Sequence, residues 1–149
     1  MNKFSFKLEP LYEFRQRLEE LSRKEFSEAL RTLSEEESKL AALKDLYRKS
    51  SEEIDKLKEE NAAGQELDLY YTYVTGLKKH IEEQARIISS VKAGLEEKRR
   101  SLIEASKNKK AVEILKERSY NLFVEGSNRE AQKISDDMAA VRFKRKTHE

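Results

Sequence analysis

Histidines and clustered carboxylates are the side chains of this sequence that could act as acid–base groups or metal ligands. His80 and His148 are far apart along the chain, and the runs Glu35-Glu36-Glu37 and Glu52-Glu53 are typical of a solvated helix surface. The sequence contains no HExxH motif, no glycine-rich phosphate loop and no cysteine. It therefore predicts no catalytic site, no metal site and no cofactor, in a protein that is not an enzyme.

The composition favours long helices over a compact core. Of the 149 residues, 40% are charged and 37% are hydrophobic, with four glycines and one proline. So few turn-forming residues disfavour a β-sandwich or barrel, and so much charge leaves too little apolar surface for a multilayer core. No run approaches the roughly 20 apolar residues of a membrane span, so direct insertion into a membrane is not expected.

Apolar residues recur at heptad spacing in two segments. In the first, residues 11, 14, 18 and 21 are followed by Phe26, Leu33, Leu40, Tyr47 and Ile54 at strict sevens, which indicates a phase slip near residues 22–26. In the second, one row of apolar residues repeats every seven from Leu67 to Leu102, and another row lies three positions further on. Such repeats are typical of a coiled coil.

The Asn-Ala-Ala-Gly segment at 61–64 interrupts the heptads and predicts a turn. The predicted fold is all-α, a long antiparallel two-helix coiled coil with a frayed or short helical C-terminal extension. A single domain over 1–149 would have helix 1 at about 8–61, the turn at about 62–65 and helix 2 at about 66–125. Gly126-Ser127-Asn128 would be a break or a fray, followed by a flexible tail at about 143–149.

Charge is uneven along the second segment, since residues 98–118 contain eight basic and three acidic groups. This basic segment either pairs with the acidic first helix or docks on an acidic protein surface. A nucleic-acid partner is not predicted, because basic and acidic residues interleave elsewhere and no arginine–aromatic stacking motif occurs.

The opening of the second segment is aromatic, with three of the six tyrosines in four positions. Tyr73, Leu77 and His80 are spaced to form a stripe at the edge of the seam, which Gln84 extends. Exposed apolar groups at helical spacing suit a protein partner, whereas packing on the turn is the alternative.

Three stretches of this sequence resemble the FliJ family of the bacterial flagellar export apparatus. They are Phe6-x-Leu8-x-x-Leu11-x-x-x-Arg15, Tyr73-Val74-x-x-Leu77-x-x-x-Ile81-x-x-Gln84, and Arg100-x-Leu102-x-x-Ala105-x-x-x-Lys109-Lys110-x-x-Glu113-x-Leu115. The polar stretch over 129–137 is similar too, so the resemblance covers nearly the whole chain.

The resemblance implies a stalk-like two-helix coiled coil with two main partners. One is the hexameric flagellar export ATPase and the other is the cytoplasmic domain of the export-gate membrane protein; export chaperones are a further implied partner. It implies a cytoplasmic location at the inner membrane beneath the flagellum. Carried over by motif, the gate contact falls on Tyr73, Leu77, His80 and Gln84.

The stalk would be formed by Leu8 to Arg23 together with Lys107 to Leu122. Candidate contacts to the ATPase ring are the basic residues of that part of helix 2, Lys107, Lys109, Lys110, Lys116 and Arg118. Two alternatives remain open at this point: the equivalent stalk of a virulence-type secretion system, and a coiled-coil chaperone or adaptor without an ATPase partner.

Overall fold

Two long helices joined by a short turn form an antiparallel helical hairpin, which confirms the predicted all-α fold. The computed structural model describes residues 2–148. Helix α1 spans Glu9–Glu59 and helix α2 spans Gly64–Thr147, and the described residues contain no strand.

Helix α1 begins directly after Leu8, whose carbonyl oxygen accepts a bond from the Tyr12 N–H at 2.9 Å. Pro10 lies in this first turn, where its missing N–H leaves no helical bond unmade. The Glu9 side chain also places negative charge at the positive end of the helix dipole. The local sequence therefore sets the start of α1.

The turn between the helices is a Schellman motif centred on Asn61. Asn61 has a φ of 52°, the left-handed conformation that asparagine tolerates better than most residues. The Ala62 N–H donates to the Leu57 carbonyl at 3.0 Å, and the Asn61 N–H donates to the Lys58 carbonyl at 3.3 Å. Gly64, predicted to belong to the turn, instead opens α2.

Helix α2 is longer than predicted. It passes through Gly126-Ser127-Asn128 without a break and continues to Thr147, beyond the expected end near 125. The predicted tail at 143–149 is helical up to Thr147, and Glu149 lies outside the described residues. One exposed glycine costs a helix only about 1 kcal/mol relative to alanine, and good helix formers resume at Arg129-Glu130-Ala131-Gln132-Lys133.

The buried seam of α2 follows the predicted heptads, with Leu77, Ile88, Ala105 and Val112 among its buried residues. Beyond Val112 the next apolar residues in the sequence, Leu115 and Leu122, do not continue this seam, because both side chains are exposed. The seam positions there are the half-buried residues Lys116, Ser119 and Phe123.

The phase slip predicted for α1 near residues 22–26 is also wrong. Buried and half-buried side chains keep the alternating spacing of three and four through Tyr12, Arg15, Glu19, Ser22 and Phe26. The apolar residues Phe14, Leu18 and Leu21, which define the slip in the sequence, are exposed. Polar side chains hold the seam there because the facing positions of α2 carry basic groups, as described below.

The chain divides into two compact units. The terminal unit combines the chain up to Glu19 with the chain from Glu104 onward, and the turn unit is Glu20–Ile103. Within the terminal unit, Glu9 pairs with Lys116 and Glu19 with Lys109; within the turn unit, Glu25 pairs with Lys98. In the turn unit Glu36 also bonds to Gln84, so each unit is antiparallel by its own contacts.

The end of α2 has no helical partner among residues 2–148. Phe4, which precedes α1, packs its ring against Tyr120 and Phe123 with centroids 5.3 and 5.6 Å apart. From Glu125 onward every described side chain is exposed, including Ile134 and Met138. Over its described residues, this extension is therefore a single helix with every side chain exposed.

Candidate protein-binding surfaces

The four residues predicted to contact an export gate divide into two pairs. Tyr73 is 49% exposed and His80 is also exposed, whereas Leu77 is only 5% and Gln84 only 8% exposed. Leu77 and Gln84 are seam residues of the hairpin, and the stripe at the seam edge does not include them. Only Tyr73 and His80 can offer their side chains to a partner while the hairpin is intact.

Gln84 links the two helices through Glu36. Its Nε2 donates to Glu36 Oε2 at 2.5 Å and to the Glu36 carbonyl oxygen at 3.0 Å. Lys39 pairs with the other carboxylate oxygen at 3.0 Å. Glu36 is therefore not part of a fully solvated carboxylate run, as the sequence suggested, but half of a polar layer in the seam. Such a layer favours one register over its alternatives.

Replacing Gln84 by leucine should raise the pKa of Glu36. The hydrogen bond from Gln84 is the main cause that lowers the pKa of the Glu36 carboxyl below its ordinary value of 4.5, with Lys39 contributing less. A carboxyl whose pKa is lower in the folded state than in the unfolded state stabilises the fold at pH values above its ordinary pKa. That stabilisation is lost as the pH falls through the lowered pKa. The difference in the free energy of unfolding between the wild type and Gln84→Leu should therefore change below about pH 4.5.

The check is an NMR titration of the Glu36 carboxyl, paired with urea unfolding at neutral and acidic pH. Glu96 is the matched control, since Arg99 is the main cause that lowers its pKa, and that pKa should not move. A Glu36 pKa unchanged by Gln84→Leu would contradict the bond between the helices.

Tyr73 and His80 belong to an exposed row on α2 in the turn unit, of which the sequence interpretation missed the other two members, Leu69 and Ile87. Leu69, Tyr73 and Ile87 are 73%, 49% and 46% exposed, and His80 lies between the last two. Each precedes a seam residue, so they share one side of the helix. The sequence signal was available, as an apolar row one position before the heptad seam. We call these four residues the gate-candidate row.

Two of the five basic residues predicted to contact an ATPase ring have internal partners. Lys109 pairs with Glu19 at 3.4 Å, and Lys116 pairs with Glu9 at 2.9 Å. The Lys116 ammonium also lies 4.8 Å from the ring centroid of Tyr12. These ammonium groups face α1, so the expectation that the basic segment pairs with the first helix is correct for them.

The other three basic residues, Lys107, Lys110 and Arg118, are exposed. None of them forms an ion pair with another residue in the described range 2–148. The basic segment is therefore divided: two of its cations pair with α1, and these three remain exposed without an ion pair among the described residues.

No group of three or more histidine, aspartate or glutamate side chains within residues 2–148 is arranged to hold a metal ion. Over the same residues, neither helix contains a stretch long and apolar enough to cross a membrane.

Comparison with known proteins gives one match. No curated protein and no solved structure matches the chain. The family model described as Flagellar FliJ protein matches residues 4–148, nearly the whole length. The chain therefore belongs to the FliJ family, whose members are non-enzymatic components of the bacterial flagellar export apparatus.

Proposed function

We propose that this protein is the stalk-like coiled coil of the flagellar export apparatus. In this role the terminal unit binds the hexameric export ATPase, and the turn unit binds the cytoplasmic domain of the export-gate protein. The protein would work at the cytoplasmic face of the inner membrane beneath the flagellum, and export chaperones would be further partners.

The observation that carries the proposal is that each unit has an exposed surface of its own. The turn unit has the gate-candidate row, and the terminal unit has exposed apolar residues with unpaired cations beside them. Large exposed apolar groups at helical spacing are typical of protein-binding sites. Two such surfaces on one hairpin suit a protein that holds two components of one apparatus.

The gate contact needs a revision in the light of burial. Leu77 and Gln84 are enclosed by the hairpin, so they are left out of the proposed gate contact. The exposed residues Leu69 and Ile87 are assigned to it in their place. Tyr73 and His80 remain, with an aromatic ring and an imidazole beside the two aliphatic groups. Truncation of the exposed residues should affect binding without loss of the seam.

The Tyr73→Ala/Ile87→Ala variant tests this assignment. We expect its affinity for the purified cytoplasmic domain of the organism's export gate to fall at least tenfold, because buried aromatic and aliphatic anchors dominate such interfaces. Stimulation of ATP turnover by the organism's export ATPase should be unchanged. The measurements are calorimetric titration of the gate domain and steady-state ATP hydrolysis with and without the protein.

Tyr71→Ala is the matched control, since Tyr71 is equally exposed but lies on the other side of α2, under the Lys58 ammonium. It should leave both activities intact. Loss of both activities in Tyr73→Ala/Ile87→Ala, with unchanged helicity, would contradict the division between units. Absence of ATPase stimulation and gate binding in the wild-type protein would instead favour an adaptor with other partners.

A further inference from the structure

The helical extension from Glu125 onward has one apolar side. Ile134, Met138 and Val141 are 57%, 59% and 53% exposed, and Ala131 precedes them at the same alternating spacing of three and four. At about 100° per residue, these four side chains point within about 40° of one common direction. We call Ala131, Ile134, Met138 and Val141 the extension stripe.

The extension stripe continues the side of α2 that packs on the start of the chain. Val141 follows Phe123 by eighteen residues, or about five turns of an α-helix, so the two side chains share one side. Phe123 is half-buried there and packs against the Phe4 ring. Beyond Val124 every described side chain is exposed. A helix laid on the stripe would therefore extend the seam of the terminal unit beyond the start of α1.

The charges along one edge of the extension stripe change sign from its start to its end. Glu130, Asp137 and Lys144 recur at intervals of seven, and each immediately precedes a position on the apolar side. They therefore form one row, with two carboxylates nearer the hairpin and one ammonium nearer the chain end. All three are exposed, and none forms an ion pair with another residue among 2–148. The row is therefore complementary to its own reverse.

We propose that the extension of one chain pairs with the extension of a second copy, in antiparallel orientation. A two-fold axis would cross the stripe between Ile134 and Met138, so that each of them packs on the other residue of the second copy. In an antiparallel pair, the edge that bears the charged row faces the same edge of the second copy. Glu130 of each chain then lies beside Lys144 of the other, and such edge pairs decide the orientation of a coiled coil.

The place of α1 favours the same orientation. With the two-fold axis at that position, Thr147 of the second copy lies opposite Glu125, just beyond the part of α2 that Phe4 covers. The two terminal units would then lie at opposite ends of the pair. Because Phe123 and Val141 share one side, a second α2 that ran parallel to the first would instead collide with α1.

An anionic membrane is the competing occupant, and the extension suits it less. The last turns contain four cations, Arg142, Lys144, Arg145 and Lys146. This number is within the range for lipid-binding helices. Glu130 and Asp137, however, lie along the edge of the apolar side, where a negatively charged surface would repel them. Phe143 is 70% exposed and points to the opposite side, whereas a helix that lies on lipid directs its aromatic groups toward the lipid.

Sedimentation equilibrium of the full-length protein at increasing concentration tests the association. The average mass should rise from that of one chain, 17.5 kDa, towards that of two. Ile134→Ala/Met138→Ala should raise the dissociation constant at least tenfold, because both copies lose their central apolar contacts. Phe143→Ala is the matched control, since it truncates an exposed apolar residue on the opposite side of the helix, and it should leave the dissociation constant unchanged.

Two charge variants test the orientation. Glu130→Lys and Lys144→Glu should each associate with themselves at least tenfold more weakly than the wild type, because like charges then face each other across the pair. An equimolar mixture of the two variants should recover the association, since an edge that bears two lysines then meets an edge that bears two glutamates. All variants should keep the helicity of the wild type, because the altered side chains are exposed.

Asp137→Asn separates the two orientations further. In the antiparallel pair Asp137 lies near its own counterpart, so the substitution should strengthen the association. In a parallel pair Asp137 would face Arg142 instead, and the same substitution would weaken the association.

A mass that stays at one chain at every concentration would overturn the proposal. So would equal weakening in Phe143→Ala, a mixture of the charge variants that associates no better than each alone, or weaker association of Asp137→Asn. Binding to phosphatidylglycerol vesicles that depends on Ile134 and Met138, without self-association, would also overturn it. A protein that forms this dimer but fails to stimulate the export ATPase would refute the proposed function and leave this inference standing.

Discussion

Replacing Leu77 by alanine is expected to lower the free energy of unfolding by about 2 to 3 kcal/mol. Leu77 is 5% exposed and is among the most buried apolar residues of the hairpin. Its truncation removes apolar contact and leaves space that two straight helices cannot close. Urea unfolding followed by far-ultraviolet circular dichroism measures the loss. Gate binding should change only as far as the hairpin itself unfolds.

Tyr73→Ala is the comparison that separates the two roles. Tyr73 lies four residues away on the same helix but is half exposed, so its truncation should change stability by less than about 0.5 kcal/mol. It should nevertheless weaken gate binding. If Leu77→Ala left stability unchanged and Tyr73→Ala lowered it, the burial pattern of the turn unit would be wrong.

The seam of the second helix could be predicted well up to Val112, although the end of the helix could not, because periodicity and burial agree there. Leu67, Val74, Ile81, Ile88 and Leu95 recur at seven-residue spacing, and each is buried or half-buried. When the most apolar side of a helix is also the side that faces its partner, hydrophobic periodicity identifies the seam directly. The same holds for α1 from Phe26 to Leu57.

The terminal part of α1 could not be predicted in this way. Periodicity assigns the seam to the most apolar row, which is Leu11, Phe14 and Leu18. In the folded hairpin that row is displaced by Glu9 and Glu19, whose carboxylates meet lysines on α2. The identity of the facing helix decides the register, and a single segment does not contain that information.

The gate candidates show a related limit. A family resemblance places a contact on sequence positions, but it does not state which side of the helix each position faces. Gln84 stands at a position to which the resemblance assigns the contact, and yet its amide bonds to Glu36 in the seam. Ile87 lies outside the quoted pattern and yet is exposed beside His80. Helical geometry, once the seam is known, separates these two cases.

The two units differ in what stabilises them. The turn unit contains the buried apolar residues Ile54, Leu57, Leu77 and Ile88. The seam of the terminal unit includes, besides the buried Ala105 and Val112, two interhelical ion pairs. Ion pairs contribute less net stability than apolar packing, because each charge loses part of its hydration. Apolar groups that could have filled this seam are left on the surface, where a partner can reach them.

Reversing one charge of the terminal seam should therefore be costly. Glu19→Lys is expected to lower the free energy of unfolding by about 2 kcal/mol, less than for a fully buried pair because Lys109 keeps part of its exposure. The new ammonium would lie beside Lys109, with the guanidinium of Arg15 one turn away on the same side of α1. Urea unfolding and hydrogen exchange of the terminal unit would detect the loss.

The exchanged pair Glu19→Lys/Lys109→Glu is the control, because it restores opposite charges at the same two positions. It should recover most of the lost stability, and a double-mutant cycle then gives the coupling between the two sites. Replacing both by leucine tests the meaning of the polar seam. Since apolar residues often replace a buried pair without loss, this variant should be at least as stable as the wild type. If all three variants unfolded like the wild type, the register that places Glu19 in the seam would be wrong, and Phe14 and Leu18 would be the residues that face α2.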